Sequence, residues 1–194
     1  LLLSVIEAAE DPFRFNWLDE QGLTRFTEPI DAVDLAIMRG AHRDDRGRLW
    51  VGTWGNGLLV TDGLVTQRYQ HVDGLAHDGT QDVVSVKNGD LWIPTERGAS
   101  RYRPTDEAPG IRITDVIVEG SRGAVSDVHL PMTSDYLRVE FEGSSDYTPP
   151  DRMAFVYRIT GYQDDWQPLY ESSIELTDLP RGEFTFEVKA VDRD

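Results

Sequence analysis

Residues Arg48–Val60, RLWVGTWGNGLLV, carry the reading of this chain. Leu49–Thr53 is a run of aliphatic, aromatic and β-branched residues of strand length, and Asn56-Gly57 is a pair that accepts positive φ at low cost. A second apolar run starts at Leu58, so the stretch reads as strand, tight turn, strand. The same pattern returns at Asp90–Tyr102, DLWIPTERGASRY, with Leu-Trp, a Thr three residues after the Trp, and a Gly turn. Trp50 and Trp92 stand 42 residues apart. Gly22-Leu23 before Phe26 and Gly63-Leu64 before Tyr69 repeat at a step of 41.

A period of about 40–45 residues built from short strands and glycine turns is the mark of propeller blades. The turns place one blade on Ala41–Asp44, Arg48–Thr53, Leu58–Thr61 and Leu64–Gln70. A second falls on Asp82–Val86, Asp90–Thr95 and Ala99–Arg103, without an outer strand. Proline removes a ladder donor, so Pro94 predicts a bulge or a broken hydrogen bond in the second blade. Helical periodicity is confined to Leu1–Glu10 and Ile30–Met38, each with room for a turn or two. Trp50 and Trp92 are expected to fill equivalent packing positions between blades, because repeated aromatics usually occupy repeated core sites.

From Ile111 the texture changes. Arg112–Val118, Tyr136–Phe141, Phe155–Thr160 and Phe184–Ala190 alternate apolar and polar residues, the rhythm of an immunoglobulin-like or fibronectin-like sandwich. The fold class is therefore all-β: a partial propeller of about two blades over residues 1–103, a Pro- and acid-containing linker over 104–110, and a sandwich over 111–194. The chain begins without Met and stops just after a strand, and both ends read as truncated.

The bulk composition narrows the function. Net charge is −16, with acids outnumbering bases on both sides of residue 110, which argues against nucleic acid and against an anionic membrane surface as partners. There is no cysteine, so there is no disulfide framework, thiolate metal site or cysteine nucleophile. No apolar run reaches the ~18–20 residues of a spanning helix. His42, His71, His77 and His129 lack metal-site spacing, and neither a phosphate loop nor a nucleophile elbow occurs. Glu140 with Glu142, Asp44-Asp45 and Asp164-Asp165 are paired carboxylates of the kind that serve glycoside hydrolysis, and on so acidic a chain such pairs arise by chance. No catalytic residue, cofactor or metal is expected.

DDRGRLWVGTWGNGL and NGDLWIPTERGA resemble the propeller repeat of two-component regulators. ITDVIVEG (Ile113–Gly120), LRVEFEGSSDYTPPDRMAFVYRITGYQDDW (Leu137–Trp166) and LTDLPRGEFTFEVKAVD (Leu176–Asp192) resemble the triple-tyrosine domain that follows such propellers. Of the three tyrosines, Tyr157 fits, while Ile174 and Phe184 stand at the other two positions. The resemblance implies the periplasmic or extracellular sensor region of a membrane-anchored bacterial receptor, non-catalytic in itself. It implies a small-molecule or oligosaccharide ligand at the propeller, a homodimer through the sandwich, and partnership with the remainder of the receptor. The alternative is a fragment of a secreted carbohydrate-active enzyme with a propeller and an accessory sandwich; a third reading is a passive scaffold.

Candidate ligand contacts follow from position. Trp54 sits in a turn outside the repeated position, where Glu96 is its counterpart, and is a candidate exposed stacking platform. The loop His71–Thr80 joins one blade to the next, on the side that faces a channel mouth. His77, Asp78 and Thr80 are its candidate contacts; a solvated loop with an Asx turn is the competing reading. Tyr157 and Trp166 are expected to be structural, with Trp166 capping the sandwich core and Tyr162 beside it.

Overall fold

Alternation and turn chemistry in the sequence become strands almost everywhere in the structure, a computed structural model that describes residues 2–5, 14–19, 22–25, 30, 37–118, 121–122, 128–129 and 136–192. Among the described residues no helix is long and apolar enough to cross a membrane. The chain forms two compact units, Leu1–Pro104 and Thr105–Asp194.

The first unit is a series of antiparallel meanders. β1 (Leu2–Val5), β2 (Arg14–Asp19) and β3 (Gly22–Arg25) form one sheet. β4 (Met38–Arg43), β5 (Leu49–Thr53), β6 (Leu58–Thr61) and β7 (Thr66–Tyr69) form the second. β8 (Val84–Ser85), β9 (Leu91–Thr95) and β10 (Gly98–Tyr102) form the third. The helical turn expected at Leu1–Glu10 is replaced at Leu2–Val5 by a strand that pairs with β2, while the rest of that stretch lies outside the described residues. Ile30–Met38 is described only at residues 30, 37 and 38, and Met38 opens β4.

β5 is buried on both faces, and that divides its side chains. Leu49 and Val51 join Leu59 in a cluster covered by Ile30, Met38 and Ala41. Trp50, one residue out of phase, points the other way and packs with Leu58, Val60, Leu75, Val83, Leu91 and Ile93. Leu91 and Ile93 belong to β9, so this cluster joins the second sheet to the third. Tyr69 and Tyr102 close it around the indole, at 5.9 and 5.0 Å between ring centroids.

Trp92 departs from expectation. It is 42% exposed, whereas Trp50 is 0% exposed. The cause is the same alternation: Leu91 and Ile93 look back at Trp50, which turns Trp92 to the outer face of the third sheet. The bulge expected at Pro94 is also absent. The register runs unbroken through Pro94↔Ala99, and the Pro94 carbonyl accepts the Gln81 N–H at 2.9 Å. β8 pairs only with Leu91 and Trp92 and does not reach the proline.

The second unit comprises β11 (Gly110–Val118), β12 (Ser121–Arg122), β13 (Tyr136–Ser144), β14 (Ala154–Thr160), β15 (Gln163–Leu169), β16 (Ser173–Thr177) and β17 (Thr185–Val191). They make two antiparallel sheets, β12-β11-β13-β16 and β15-β14-β17. One apolar cluster lies between the two sheets: Val116, Val139, Phe141 and Ile174 come from the first, and Phe155, Tyr157, Phe186 and Val188 from the second. Tyr157 stacks on Phe186 with centroids 6.1 Å apart. β15 lies outside the alternating stretches, because QDDWQPL is polar and carries Pro168, the composition of an edge strand; β16, SIELT, is a short strand that turns Ile174 and Leu176 to the core.

Trp166 does not cap this core. Tyr157 pairs with Gln167, so Trp166 falls on the opposite, outer side of its sheet. There its ring lies 4.7 Å from the Arg158 guanidinium and 4.2 Å from the Lys189 ammonium. Tyr162 is exposed and meets Phe184 edge-on at 6.0 Å rather than Trp166.

Arg158 also clamps Glu187 at 2.6 and 3.0 Å, and Thr160 donates to the same carboxylate at 2.7 Å. The Arg158 hydrogen bonds, followed by that from Thr160, draw the Glu187 carboxyl down to about 2 from 4.5. A depressed carboxyl stabilises the fold above its unfolded value and loses that contribution as pH falls from about 4.5 toward 2. The pair is partly solvated, so the effect on stability is small. A side-chain carboxyl titration by NMR is expected to show a Glu187 midpoint near 2; a midpoint above 4 would refute the clamp.

Candidate functional site

The loop between β7 and β8 is built by its own side chains. A 3-10 turn at His71–Asp73 is capped reciprocally, the Asp73 carboxylate accepting the Gln70 N–H at 2.8 Å. Asp78 Oδ1 accepts the His71 N–H at 2.5 Å, and His77 Nδ1 accepts the Gly79 N–H at 3.0 Å. Gly79 then bridges to Trp54, and Thr80 bridges to Thr95. The loop therefore ties the end of β5 to the end of β9.

Thr80 takes a different part from the contact expected of it. It is fully buried. Its hydroxyl accepts the Thr53 N–H at 2.8 Å and donates to the Gly57 carbonyl at 3.0 Å, while Thr53 Oγ1 donates to that same carbonyl at 2.6 Å. The clasp depends on Gly57, which has φ +80° and would bring any Cβ to 2.1 Å from the Tyr69 carbonyl oxygen. Thr80 thus holds the loop and presents no face to a ligand.

What the clasp positions is a small polar and aromatic cluster. Trp54 is 65% exposed. The Arg39 guanidinium, from β4, lies 3.7 Å from its ring centroid, a cation–π contact that fixes one face of the indole. Arg39 Nη1 is 3.5 Å from Glu96 Oε1, and His77 Nδ1 is 3.8 Å from Glu96 Oε2. Glu96 fits because Gly79 has no side chain: a Cβ there would stand 2.8 Å from the Glu96 carboxyl carbon. Trp54 and His77 are thereby brought together. Asp78 works one step back, fixing the loop through His71. Arg39 and Glu96 were missed, although Glu96 was already legible as the repeat counterpart of Trp54. The repeat brings both positions to strand ends that one loop then bridges.

The chemistry available here is recognition. A free ring edge and face, a carboxylate, an imidazole and a guanidinium suit a ligand that offers hydroxyls and a C–H-rich face. At the other end of the β4–β5 hairpin lies an open cleft of about 450 Å³ lined by Asp44, Arg48, Asp90 and Arg103. Four of its charges are matched within the protein, Arg48 to Asp44 at 2.9 Å and Arg103 to Asp90 at 3.2 Å. Of the other paired carboxylates, Glu140 pairs with Arg138 at 3.1 Å and Glu142 with Arg112 at 3.0 Å. Among the described residues no group of three or more His, Asp or Glu could hold a metal ion.

In the second unit, a loop after β13 is held to the end of β17: the Ser145 and Thr148 hydroxyls both donate to the Asp192 carboxylate, and Thr148 is buried. This loop opens the segment that carries β14–β17, with Tyr157 in the core. Residues 146–194 match the Y_Y_Y domain family. The Y_Y_Y segment thus contains the three-stranded sheet, β16 and the Trp166 face. Ile174 is buried in its core, whereas Phe184 pairs with Tyr162 outside it.

Among curated proteins, none matches the chain in sequence. Among solved structures, the chain is similar to the extracellular domain assigned to the hybrid two-component system BT3049 of B. thetaiotaomicron, at 16% identity and TM-score 0.45. That comparison covers 92% of this chain and 27% of the other. Two structures of the extracellular domain of BT4673 from the same organism are similar at 14% and 17% identity, both at TM-score 0.34. They cover 93% and 95% of this chain and 26% and 29% of theirs. The chain spans about a quarter of the length of the solved chains it resembles.

Proposed function

We propose that this chain is the ligand-sensing and relay region of an extracytoplasmic bacterial receptor, without catalysis of its own. In this reading the meander sheets of the first unit are neighbouring blades of a propeller. The Trp54 end is the ligand face, and the ligand is an oligosaccharide or a comparable polyhydroxylated molecule. The observation that carries it is the exposed Trp54 indole, braced by Arg39 and flanked by Glu96 and His77. An exposed indole braced on one side by a guanidinium is preorganised, and its remaining surface suits stacking against the C–H face of a sugar. The Y_Y_Y match over residues 146–194 supports the relay part: the sandwich passes on a shift between two arrangements of a receptor dimer, which requires the ligand to favour one of them.

The test is calorimetry against a panel of neutral and acidic oligosaccharides. Trp54→Ala is expected to weaken the best binder at least tenfold while leaving the melting temperature within about 2 °C, since an exposed side chain contributes little to stability. Glu96→Gln is expected to weaken it severalfold. A binder whose affinity is untouched by both changes would remove this site from the proposal.

A further inference from the structure

We propose that Glu96 sets the specificity of the Trp54 site: its carboxylate takes two neighbouring hydroxyls of a sugar whose C–H face lies on the indole. This rests on the ligand reading of the Trp54 end and narrows it to sugars with an unsubstituted vicinal diol. The register of the strand ends carries it. Gly79 stands opposite Trp54, and Thr80 stands opposite Thr95. One antiparallel step from Thr80 sets Gly79 opposite Glu96, whose N–H donates to the Gly79 carbonyl at 3.0 Å. Trp54, Gly79 and Glu96 thus form one cross-strand row, and residues in such a row project from the same face. Two inter-strand spacings separate its outer members, roughly 10 Å between Cα atoms. The middle residue has no side chain, and Glu96 leans over that gap: a Cβ at Gly79 would lie 2.8 Å from its carboxyl carbon.

The carboxylate is not engaged inside the protein. Arg39 Nη1 at 3.5 Å and His77 Nδ1 at 3.8 Å lie beyond ordinary hydrogen-bond length. No described residue donates a hydrogen bond to either Glu96 oxygen. Acids that hold this fold together look different. Glu187 accepts at 2.6, 2.7 and 3.0 Å, and Asp44 binds Arg48 Nε and the Trp50 indole N–H at 2.9 and 2.8 Å. The Glu96 side chain is 40% exposed, so hydroxyls can reach both of its oxygens. Bonds to an ionised acceptor are the strong ones, and the two oxygens of one carboxylate match hydroxyls on adjacent carbons. His77 adds a donor. Its Nδ1 accepts the Gly79 N–H at 3.0 Å, which leaves the ring proton on Nε2.

The test is calorimetry of the 194-residue chain with trisaccharides of glucose, galactose, mannose, xylose and galacturonic acid, each beside its per-O-methylated form. Methylation keeps the C–H face and removes every hydroxyl donor. A site built to bond hydroxyls rejects an analogue that lacks them, so the free sugar is expected to bind at least about tenfold tighter. Glu96→Met keeps the bulk without the acceptors, and is expected to cut that preference to about threefold or less by weakening the free sugar alone. Gly79→Ala is expected to do the same with Glu96 still in the chain, because the new Cβ displaces the carboxylate. A merely structural role for Gly79 would lower both forms alike. A preference that survives Glu96→Met is steric and would overturn the proposal, as would equal binding of the two forms to wild type. Either result leaves the ligand reading to be judged by Trp54→Ala. Binding by none of the trisaccharides, or binding that Trp54→Ala leaves intact, sinks the ligand reading and the role of Glu96 with it.

Discussion

Trp50→Ala is expected to destabilise the first unit by about 3–5 kcal/mol, the range for truncating a large buried aromatic. The same change at Trp92 is expected to cost about 1 kcal/mol or less. The two residues share a sequence context and differ in what lies over them. Trp50 fills the space between two sheets, in contact with aliphatic residues from both, with Tyr69 and Tyr102 against its ring and the Arg48 guanidinium 5.1 Å from its centroid. Removing it leaves a cavity that rigid strands on both sides cannot close. Removing Trp92 uncovers part of one sheet face and leaves no void. Urea titrations followed by circular dichroism measure both. Equal losses at the two positions would mean that the inter-sheet cluster is not what holds the unit together.

Asp44→Ala ranks with it, at about 3–5 kcal/mol. The carboxylate has four donors: the backbone N–H groups of Arg46 and Arg48 on Oδ1, at 3.0 and 2.8 Å, and Arg48 Nε and Trp50 Nε1 on Oδ2, at 2.9 and 2.8 Å. The side chains of Asp44 and Arg48 are only 6% and 14% exposed. Its loss strands a buried guanidinium and an indole N–H, and desolvated donors without an acceptor are costly. Asp44→Asn keeps an acceptor but not the charge, and is expected to fall between wild type and Ala.

The pH dependence follows from the same geometry. Burial pushes the Asp44 carboxyl up, but the Trp50 and Arg48 side-chain hydrogen bonds, the Arg48 backbone N–H and the Arg48 charge together outweigh it. Its pKa lies below the ordinary 3.8. A group depressed in the folded state stabilises above its unfolded value and loses that contribution as pH falls below it. The stability gap between wild type and Asp44→Asn is therefore expected to be full above pH 3.8 and to shrink on acidification below it. A gap that stays constant down to pH 2 would contradict the assignment.

Strand existence was legible wherever alternation and turn pairs agreed. Leu58–Thr61 falls where the Asn-Gly and Asp-Gly turns place it, and the others shift by a few residues at their ends. β15 escaped because a polar, proline-bearing edge strand lacks the apolar period that marks a strand facing a core, whereas β16 sends only Ile174 and Leu176 to the core, too short a run to stand out. Within the candidate site, Trp54 and His77 could be picked out as an unrepeated aromatic and a loop residue. Arg39 could not, since nothing in the chain order indicates that a residue of β4 will lie over the ring of Trp54, and Glu96 was legible only as the repeat counterpart of Trp54. Thr80 shows the opposite error: a hydroxyl in a loop resembles a ligand contact until its partners are seen to be Thr53 and Gly57.

The sequence by itself determined that the chain is all-β, that Trp50 and Trp92 are equivalent positions, and that the texture changes near residue 110. These are consequences of side-chain period and turn conformation, which act within a few residues. Only the tertiary structure decided that one tryptophan is buried and the other exposed, and that Trp166 lies against two cations outside the core. It also decided which hydroxyl closes the clasp. Burial depends on the neighbouring sheet and not on the strand itself, so two identical dipeptides meet different surroundings when only one of them has a sheet laid over it.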